Sequence, residues 1–383
     1  MSGTSRNDTP LAQSLVASVQ LNLPGTVARL SSKMRFIDKV APQLKEAGIV
    51  RNVPVIRNPT MRAAGIATAA RSIPAFGGIL YLSGAVRQDL FIDNGSIYKT
   101  AQESESELDE IDDLDFVKKI ALINLINAYK LLNELMDSPD KPEIIMLDVP
   151  LILEQSDVPL IERVEHYKLF QKVIQIIENF WVKHQNKIFP FNPEGIRIAS
   201  LGTGKFGAVV LALNAESNSF IADSLNEEAL TKITQGETME RIKSVGVKRL
   251  LQGILHNHSR TAAFQFEGIS PRNRFEPASL RHLGLMGMHI KAGLNTPPML
   301  VEFFGTASTW NSVSLDSLAS QIISLVTMDQ PQALPLPLWY AKHSLKAISK
   351  PGVLEYYKSQ AKQMLNDEEI DNIWRTDIDI FED

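Results

Sequence analysis

Asp148 is the residue of this chain whose setting points most directly to chemistry. It lies in the run PEIIMLDVPLI, whose apolar residues predict a strand inside a sheet. A carboxylate near the end of such a strand is costly to desolvate unless a positive charge compensates it. A divalent metal ion is a common compensation, and in enzymes acting on DNA or RNA a metal-bound aspartate indicates phosphoryl chemistry. The alternative is an aspartate that caps the turn at Val149 and Pro150.

Two histidine-containing segments are further candidates. His256 and His258 flank an asparagine, and the pair is either two ligands of one metal or part of a polar loop. His343 lies near the start of a predicted helix in PLWYAKHSL. It is either a metal ligand or proton donor near a scissile phosphate, or a histidine on the helix surface.

Several arginines are candidates for contacts with phosphate groups. Arg272, Arg274 and Arg281 form a cationic cluster in SPRNRFEPASLRH. Such a cluster either contacts DNA phosphates or belongs to a solvated loop. Arg62 and Arg71 flank the first predicted strand, and we expect both to approach the same cleft.

A glycine pattern, Gly202, Gly204 and Gly207, follows the predicted strand IRIAS. In a dinucleotide-binding fold a helix begins at such a pattern, with its amides facing the pyrophosphate. The residues that follow here, AVVLALN, favour a second strand. The pattern therefore favours a hairpin, with a nucleotide-binding loop as the alternative.

Composition limits the class of protein. The chain has 383 residues, of which 44% are hydrophobic and 22% charged, as expected for one large globular domain or two smaller ones. The absence of cysteine excludes disulfides, thiolate zinc sites and a cysteine nucleophile, and it fits a reducing cytoplasm. No secretory signal and no membrane-spanning apolar run is recognisable. We therefore expect a cytoplasmic protein that does not act in a membrane.

The charge of the chain is unevenly distributed. The net charge is −5, but acidic residues concentrate in 103–115 and 366–383, and the remainder is net basic. This distribution leaves room for a phosphate-binding face. We expect 103–115 to form a solvated loop. The tail 370–383 alternates Ile, Trp and Phe with acidic residues, which suits docking on a basic partner or, alternatively, a frayed terminus.

The hydrophobic patterns predict an order of elements that is typical of one fold class. Three consecutive strands are followed by a helix, then by the strand that carries Asp148, then by a long helix. This is the order of the RNase H-like nuclease core. We therefore expect an α/β protein with an RNase H-like mixed sheet, flanking helices and helical additions at both ends. The predicted domains are an N-terminal helical segment 1–55, a nuclease-like domain 56–350, and a C-terminal helix with acidic tail 351–383.

The individual predicted elements follow the same order. The first half is expected to contain two amphipathic helical pieces in 9–50, strands at 63–73, 77–88 and 89–100, a helix at 114–136, and a helix at 159–185 with Asp157 as a plausible cap. The second half is expected to contain a strand pair around 195–214, helices to about 255, strands at 261–268, 285–293 and 298–305, and helices at 315–326, 337–349 and 353–366.

Four short segments resemble motifs of the NurA nuclease family. LDVPL (147–151) resembles that family's D-G-P-L strand end, and PLPLWYAKHSLKAI (335–348) resembles its final motif. PMLVEFF (298–304) resembles the strand with an acidic residue that precedes the final helix. The segment 65–87 resembles the opening V-D-G-S-R strand and its hairpin partner.

The resemblance implies a metal-dependent DNA nuclease. Asp148 would bind Mn²⁺ or Mg²⁺, which activates water for attack on the phosphodiester. His343 would assist, although Lys342 aligns more strictly with the family's histidine; we assign Lys342 to DNA contact. The family works as a homodimer on a hexameric HerA-type DNA-translocating ATPase, in DNA end processing or anti-phage defence.

Two departures from the family pattern weaken the expected metal site. Ala67 stands where the family's first aspartate is expected, and Asn124, or Glu134 further along, stands in place of the helix glutamate. Ala67 is either an engineered substitution or the mark of a natural pseudonuclease. Otherwise the register is different and Asp93 serves instead, although Asp-Asn-Gly is also a strong turn signature. The chain is therefore either a nuclease, disabled here at position 67, or a non-catalytic adaptor or DNA clamp of the ATPase.

Overall fold

A computed structural model describes residues 10–112, 114–154, 157–159, 164–202, 207, 209, 219–234, 237–269, 275–327, 334–348 and 350–367. A ten-stranded mixed sheet forms its centre, and a second sheet has two strands. In the described part of the chain, no helix is long and apolar enough to cross a membrane. Residues 203–206, 208 and 210–218 after Gly202, residues 270–274 with Arg272 and Arg274, and residues 368–383 lie outside the described residues.

Twelve strands are described. They are β1 (Val50–Asn52), β2 (Met61–Ala75), β3 (Gly78–Asp93), β4 (Ser96–Ile111), β5 (Ile144–Leu147), β6 (Leu153–Glu154), β7 (Arg197–Gly202), β8 (Ser259–Thr261), β9 (Phe264–Gln265), β10 (Phe275–Glu276), β11 (Leu285–Lys291) and β12 (Met299–Phe304). The order in the large sheet is β1-β8-β11-β12-β7-β5-β2-β3-β4, with β9 paired to β11, and β6 pairs with β10.

The described helices lie on both faces of the sheet and at the two ends of the chain. They are α1 (Pro10–Glu46), α2 (Phe116–Asp137), α3 (Val164–His184), α4 (Glu227–Thr234), α5 (Thr238–Val245), α6 (Val247–Ile254), α7 (Phe266–Ile269), α8 (Ser312–Ser324), α9 (Leu336–Leu345) and α10 (Pro351–Asp367), with 3-10 helices at Gln185–Lys187 and Ala278–Leu283.

The central strands have the RNase H-like arrangement that the sequence predicts. Strands β2, β3 and β4 form an antiparallel meander, β5 lies parallel to β2, and β7 lies parallel to β5. Strands β12 and β11 extend the sheet in antiparallel fashion beyond β7. Helices follow the meander and β5, so the α/β prediction with flanking helices is confirmed.

Each face of the sheet packs on its own set of helices. The core on one face joins α2 and α3 to sheet residues that include Ile66 and Leu147. The core on the other face joins α8 and α9 to sheet residues that include Ala67 and Met146. Helix α9 lies very close to β2, because a Cβ atom added at Gly65 would be 2.4 Å from the backbone nitrogen of Leu338. A glycine at this position allows α9 to approach β2 closely and thereby sets the distance between the helix and the sheet.

Three sequence-based predictions about local structure are wrong. The predicted strand 89–100 contains the turn between β3, which ends at Asp93, and β4, which begins at Ser96. The N-terminal region is one helix, α1, rather than two, although it contains Pro24 and Pro42. The acidic run 103–115 is not a solvated loop, because most of it forms the outer part of β4 at the edge of the sheet. Charged side chains suit an edge strand, since one side faces solvent and charge discourages pairing with another chain.

Candidate functional site

Asp148 lies directly beyond the carboxyl end of β5, a central strand. Its backbone nitrogen donates a hydrogen bond to the Ile66 carbonyl at 3.2 Å, which extends the pairing of Ile66 with Leu147 by one step. Ala67 on β2 is therefore the neighbour of Asp148 across the strand pair. Ala67 is fully buried and carries no ligand atom. The sequence of β2 thus places a methyl group where a second carboxylate was expected.

The Asp148 carboxylate is held by Thr68 and Lys342. The Thr68 backbone nitrogen donates to the two carboxylate oxygens at 2.9 and 3.1 Å, and the Thr68 hydroxyl donates to Oδ1 at 3.2 Å. Lys342 Nζ, on α9, lies 3.4 Å from Oδ2. The Asp148 side chain is 8% exposed, whereas that of Lys342 is 41% exposed. A buried carboxylate is thus paired with a cation that reaches it from the solvent side.

Burial and charge oppose each other at Asp148. Burial raises the pKa of its carboxyl group, while the Lys342 ammonium and the hydrogen bonds from Thr68 lower it. The effect of burial is larger, so the pKa lies above its usual value. Lys342 therefore supplies the positive charge that the sequence led us to expect from a metal ion.

The residues that the structure describes around Asp148 do not fit a two-metal centre. Such a centre needs several hard oxygen ligands. Among the described residues, no group of three His, Asp or Glu side chains is close enough to hold one ion. Asn124 instead accepts a hydrogen bond from Ser83 at 2.7 Å on the α2 face of the sheet, and Glu134 is exposed. The expected helix ligand is thus directed elsewhere.

Lys342, and not its neighbour His343, reaches Asp148. His343 is exposed and stacks on Trp339, with ring centroids 5.4 Å apart. Neither the catalytic role predicted for His343 nor the DNA contact predicted for Lys342 is tested by this geometry.

The predicted DNA-binding arginines are dispersed. Arg62 lies near the start of β2 and pairs with Asp140 at 3.0 Å, whereas Arg71 lies nine residues further along the same strand. This separation is about 30 Å in an extended strand. The two arginines do not approach one cleft, contrary to our expectation. Arg281 pairs with Glu276 at 2.8 Å.

The alternative ligands also lie away from Asp148. Asp93 ends β3, and the next two residues, Asn94 and Gly95, have φ values of 48° and 85°, so Asp-Asn-Gly forms the hairpin turn to β4. This turn lies beside the start of β2, six residues before Ala67, since Met61 pairs with Ile92. His256 and His258 lie in the loop before β8, where the His258 carbonyl accepts a hydrogen bond from Val53.

Two features of the site were missed from sequence. Thr68 was not singled out, although it directly follows Ala67 on the strand next to Asp148 and its amide is therefore placed to bind a carboxylate there. The ion pair of Lys342 with Asp148 was missed because it joins segments far apart in sequence. The only available signal was the position of Lys342 in the motif.

The fold resembles that of a known nuclease, although comparison of whole sequences finds no match. No family profile and no curated protein sequence matches the chain. The structure of the NurA nuclease from Sulfolobus solfataricus superposes with a TM-score of 0.57 at 10% identity, covering 94% of this chain and 98% of that one. The chain has a NurA-like fold.

Other superpositions are weaker. A NurA structure with manganese matches at 9% identity and a TM-score of 0.45, covering 91% of this chain and 98% of that one. Endonuclease V from Bacillus subtilis matches at 10% identity and a TM-score of 0.34, covering 83% and 91%. At such low identity the NurA-like fold is shown, and the chemistry of this chain has to be argued from its own residues.

Proposed function

We propose that this chain is a non-catalytic DNA-binding subunit with a NurA-like fold. The observation that carries the proposal is the ion pair between Lys342 Nζ and Asp148 Oδ2 at 3.4 Å, next to Ala67. Metal-assisted hydrolysis needs carboxylates whose negative charge is available to the ions. Here one carboxylate is already neutralised by an ammonium group, and the position beside it is a methyl group.

The proposed partners follow from the resemblance to NurA. DNA is the proposed ligand, and a hexameric HerA-type ATPase is the proposed partner, in DNA end processing or anti-phage defence. In this setting the chain serves as an adaptor or clamp. We retain the proposed division into an N-terminal helical segment 1–55, a nuclease-like domain 56–350 and a C-terminal segment 351–383.

Helix α1 supports the proposal that the chain forms a homodimer. Apolar residues recur along it at seven-residue intervals: Val16, Leu23, Leu30, Ile37 and Leu44. Ile37 and Leu44 are buried against the chain's own core, whereas Val16 and Leu23 are 57% and 54% exposed. The apolar stripe thus continues beyond the part of the helix that packs, as in helices that pair with a second helix.

A nuclease using Mn²⁺ or Mg²⁺ that is disabled in this chain at position 67 is the second candidate function. The observation that favours it is the position of Asp148 at the carboxyl end of a central strand, with position 67 beside it on the parallel neighbour. An aspartate at position 67 would add both a ligand and a negative charge. In that case Ala67 is what silences this chain, and Ala67→Asp should raise Mn²⁺-dependent cleavage by orders of magnitude.

The test compares three proteins on fluorescent linear duplex DNA with Mn²⁺, with and without the ATPase. They are the wild type, Ala67→Asp, and Ala69→Asp as the matched control, since Ala69 lies on the same face of β2. We expect the wild type to shift DNA in gels without cutting it. Cleavage by the wild type that is abolished by Asp148→Asn would refute the non-catalytic proposal, and cleavage by Ala67→Asp alone would establish that position 67 silences the site.

A further inference from the structure

A cavity lined by both charged and apolar residues lies at the end of the sheet opposite Asp148. Its volume is about 520 Å³, within the range of small-molecule sites. Arg197, the first residue of β7, lines it and pairs with Ile144, the first residue of β5. Asp148 lies beyond the last residue of β5, roughly 13 Å away along the strand. The cavity is therefore separate from the Asp148 site.

Three cations from three segments line this cavity. Lys141 precedes β5, Lys187 ends the 3-10 helix after α3, and Arg197 begins β7. In the described part of the chain, neither lysine forms an ion pair with a carboxylate. Lys187 Nζ instead lies 3.5 Å from His184 Nδ1, and the buried His184 has its Nε2 3.0 Å from Asn133 Oδ1. Lys187 is thus held in position without a close ion pair in the described part of the chain, although its charge acts on the more distant Asp137.

Arg197 is a partly unsatisfied cation. Its Nη1 donates to Gln321 Oε1 at 3.0 Å, and its guanidinium carbon lies 5.4 Å from the centre of the Phe189 ring. Its Nε is buried and, within the described structure, has no hydrogen-bond partner. Burial lowers the pKa of this guanidinium group, and the Glu143 carboxylate, which also lines the cavity, raises it by less. An anion in the cavity would relieve this loss of solvation.

The wall of the cavity is rigid. The loop between Lys187 and Arg197 closes on itself through bonds from Phe189 N to Ile196 O at 3.0 Å and from Ile196 N to Lys187 O at 2.9 Å. Gly195 permits this closure, because a Cβ atom there would be 2.6 Å from the Ile188 carbonyl carbon. A preorganised wall lowers the entropy cost of binding a ligand.

We propose that this cavity binds a single phosphate monoester group, carried either by a free nucleoside monophosphate or by a 5′-phosphorylated DNA end. Lysine and arginine together are the usual partners of phosphate oxygens. Glu143 and Glu194 also line the cavity. These two carboxylates limit the negative charge that the site accepts, so a monophosphate fits better than a polyphosphate. The ligand site does not depend on the chemistry at Asp148.

Calorimetric titration of the full chain at low salt tests this site, with AMP, adenosine and ATP as probes. We expect AMP to bind at least about tenfold more tightly than adenosine, because a charged hydrogen bond of this kind is worth roughly one order of magnitude in affinity. AMP should also bind more tightly than ATP. Equal affinity for AMP and adenosine, or tighter binding of ATP, would overturn the proposal.

Substitutions locate the binding. Lys141→Gln and Lys187→Gln should each weaken AMP binding about tenfold, whereas Lys248→Gln, an exposed lysine on α6, should leave it unchanged. Lys141 is exposed, so its replacement should not impair folding. An equal loss of AMP affinity in the Lys248→Gln control would show that AMP is attracted by the overall charge of the protein, and it would refute the proposed site. Comparison of AMP with 5′-phosphorylated and 5′-hydroxyl oligonucleotides then identifies which molecule carries the bound phosphate. Whichever of AMP and the 5′-phosphorylated oligonucleotide binds more tightly is the ligand of the cavity.

Discussion

Replacing Lys342 by methionine removes the ammonium group 3.4 Å from Asp148 Oδ2 and keeps most of the side-chain stem. Two unit charges at this distance attract by about 1 kcal/mol in water and by about 5 kcal/mol at an effective dielectric constant of 20. Because the Lys342 side chain is 41% exposed, solvent screens the pair and the lower part of this range applies. We predict that Lys342→Met lowers the free energy of unfolding by about 1–2 kcal/mol at neutral pH.

The loss of stability caused by Lys342→Met should depend on pH in a defined direction. Burial keeps the pKa of Asp148 above its usual value although Lys342 lowers it. A carboxyl group whose pKa is higher in the folded than in the unfolded state stabilises folding as the pH falls through the folded-state pKa. Without Lys342 this pKa rises further. The difference in stability between wild type and Lys342→Met should therefore shrink as the pH falls, and vanish once Asp148 is protonated in both proteins.

A double-mutant cycle with Asp148→Asn separates charge from packing. Unfolding in urea, followed by tryptophan fluorescence, should show that Lys342→Met costs little in the Asp148→Asn background. Lys346→Met, which removes a nearby exposed lysine, is the control and should have little effect. An equal loss for Lys342→Met in both backgrounds would refute the ion pair as the cause. A loss that does not change with pH would do the same.

Three further predictions concern the site, the fold and the assembly. Ala67→Asp places a second carboxylate at a fully buried position, so in the presence of a chelator it should lower the midpoint of thermal unfolding. Addition of Mn²⁺ should restore that midpoint. A midpoint that Mn²⁺ does not change would show that no ion binds between positions 67 and 148. Gly65→Ala should cost about 1–3 kcal/mol in urea unfolding, because its Cβ would lie 2.4 Å from the backbone of α9. Gly202→Ala is the control and should have a small effect, because no atom of the described residues lies within 4 Å of the Cβ position there; equal costs would contradict the close packing of α9 on β2. Val16→Glu combined with Leu23→Glu should weaken self-association measured by sedimentation, and an unchanged monomer would rule out α1 as the contact.

Much of the fold could be predicted because its patterns are local. The apolar run of α2, the small and apolar residues of β2 and the apolar strand before Asp148 can each be recognised in a short stretch of sequence. The acidic run in β4 could not be predicted in this way, because an exposed edge strand and a solvated loop have similar composition. Its strand structure depends on pairing with β3, which is a tertiary interaction.

The site could be predicted only in part. The position of Asp148 followed from the apolar run before it, and the position of Ala67 followed from the resemblance to NurA. The partner of Asp148 could not be predicted, because a strand sequence does not show which helix residue comes to lie above it. The close approach of α9 to β2 at Gly65 decides that Lys342 is within reach.

Binding of Mn²⁺ to the unmodified chain tests most directly whether Lys342 has replaced the metal ion. Free Mn²⁺ can be measured by electron paramagnetic resonance as the wild-type protein and Asp148→Asn are titrated in parallel. We predict that the wild type binds Mn²⁺ no more tightly than Asp148→Asn, because the Asp148 carboxylate is already paired with Lys342 and Ala67 offers no ligand. Stoichiometric, tight binding of Mn²⁺ by the wild type that is lost in Asp148→Asn would contradict this.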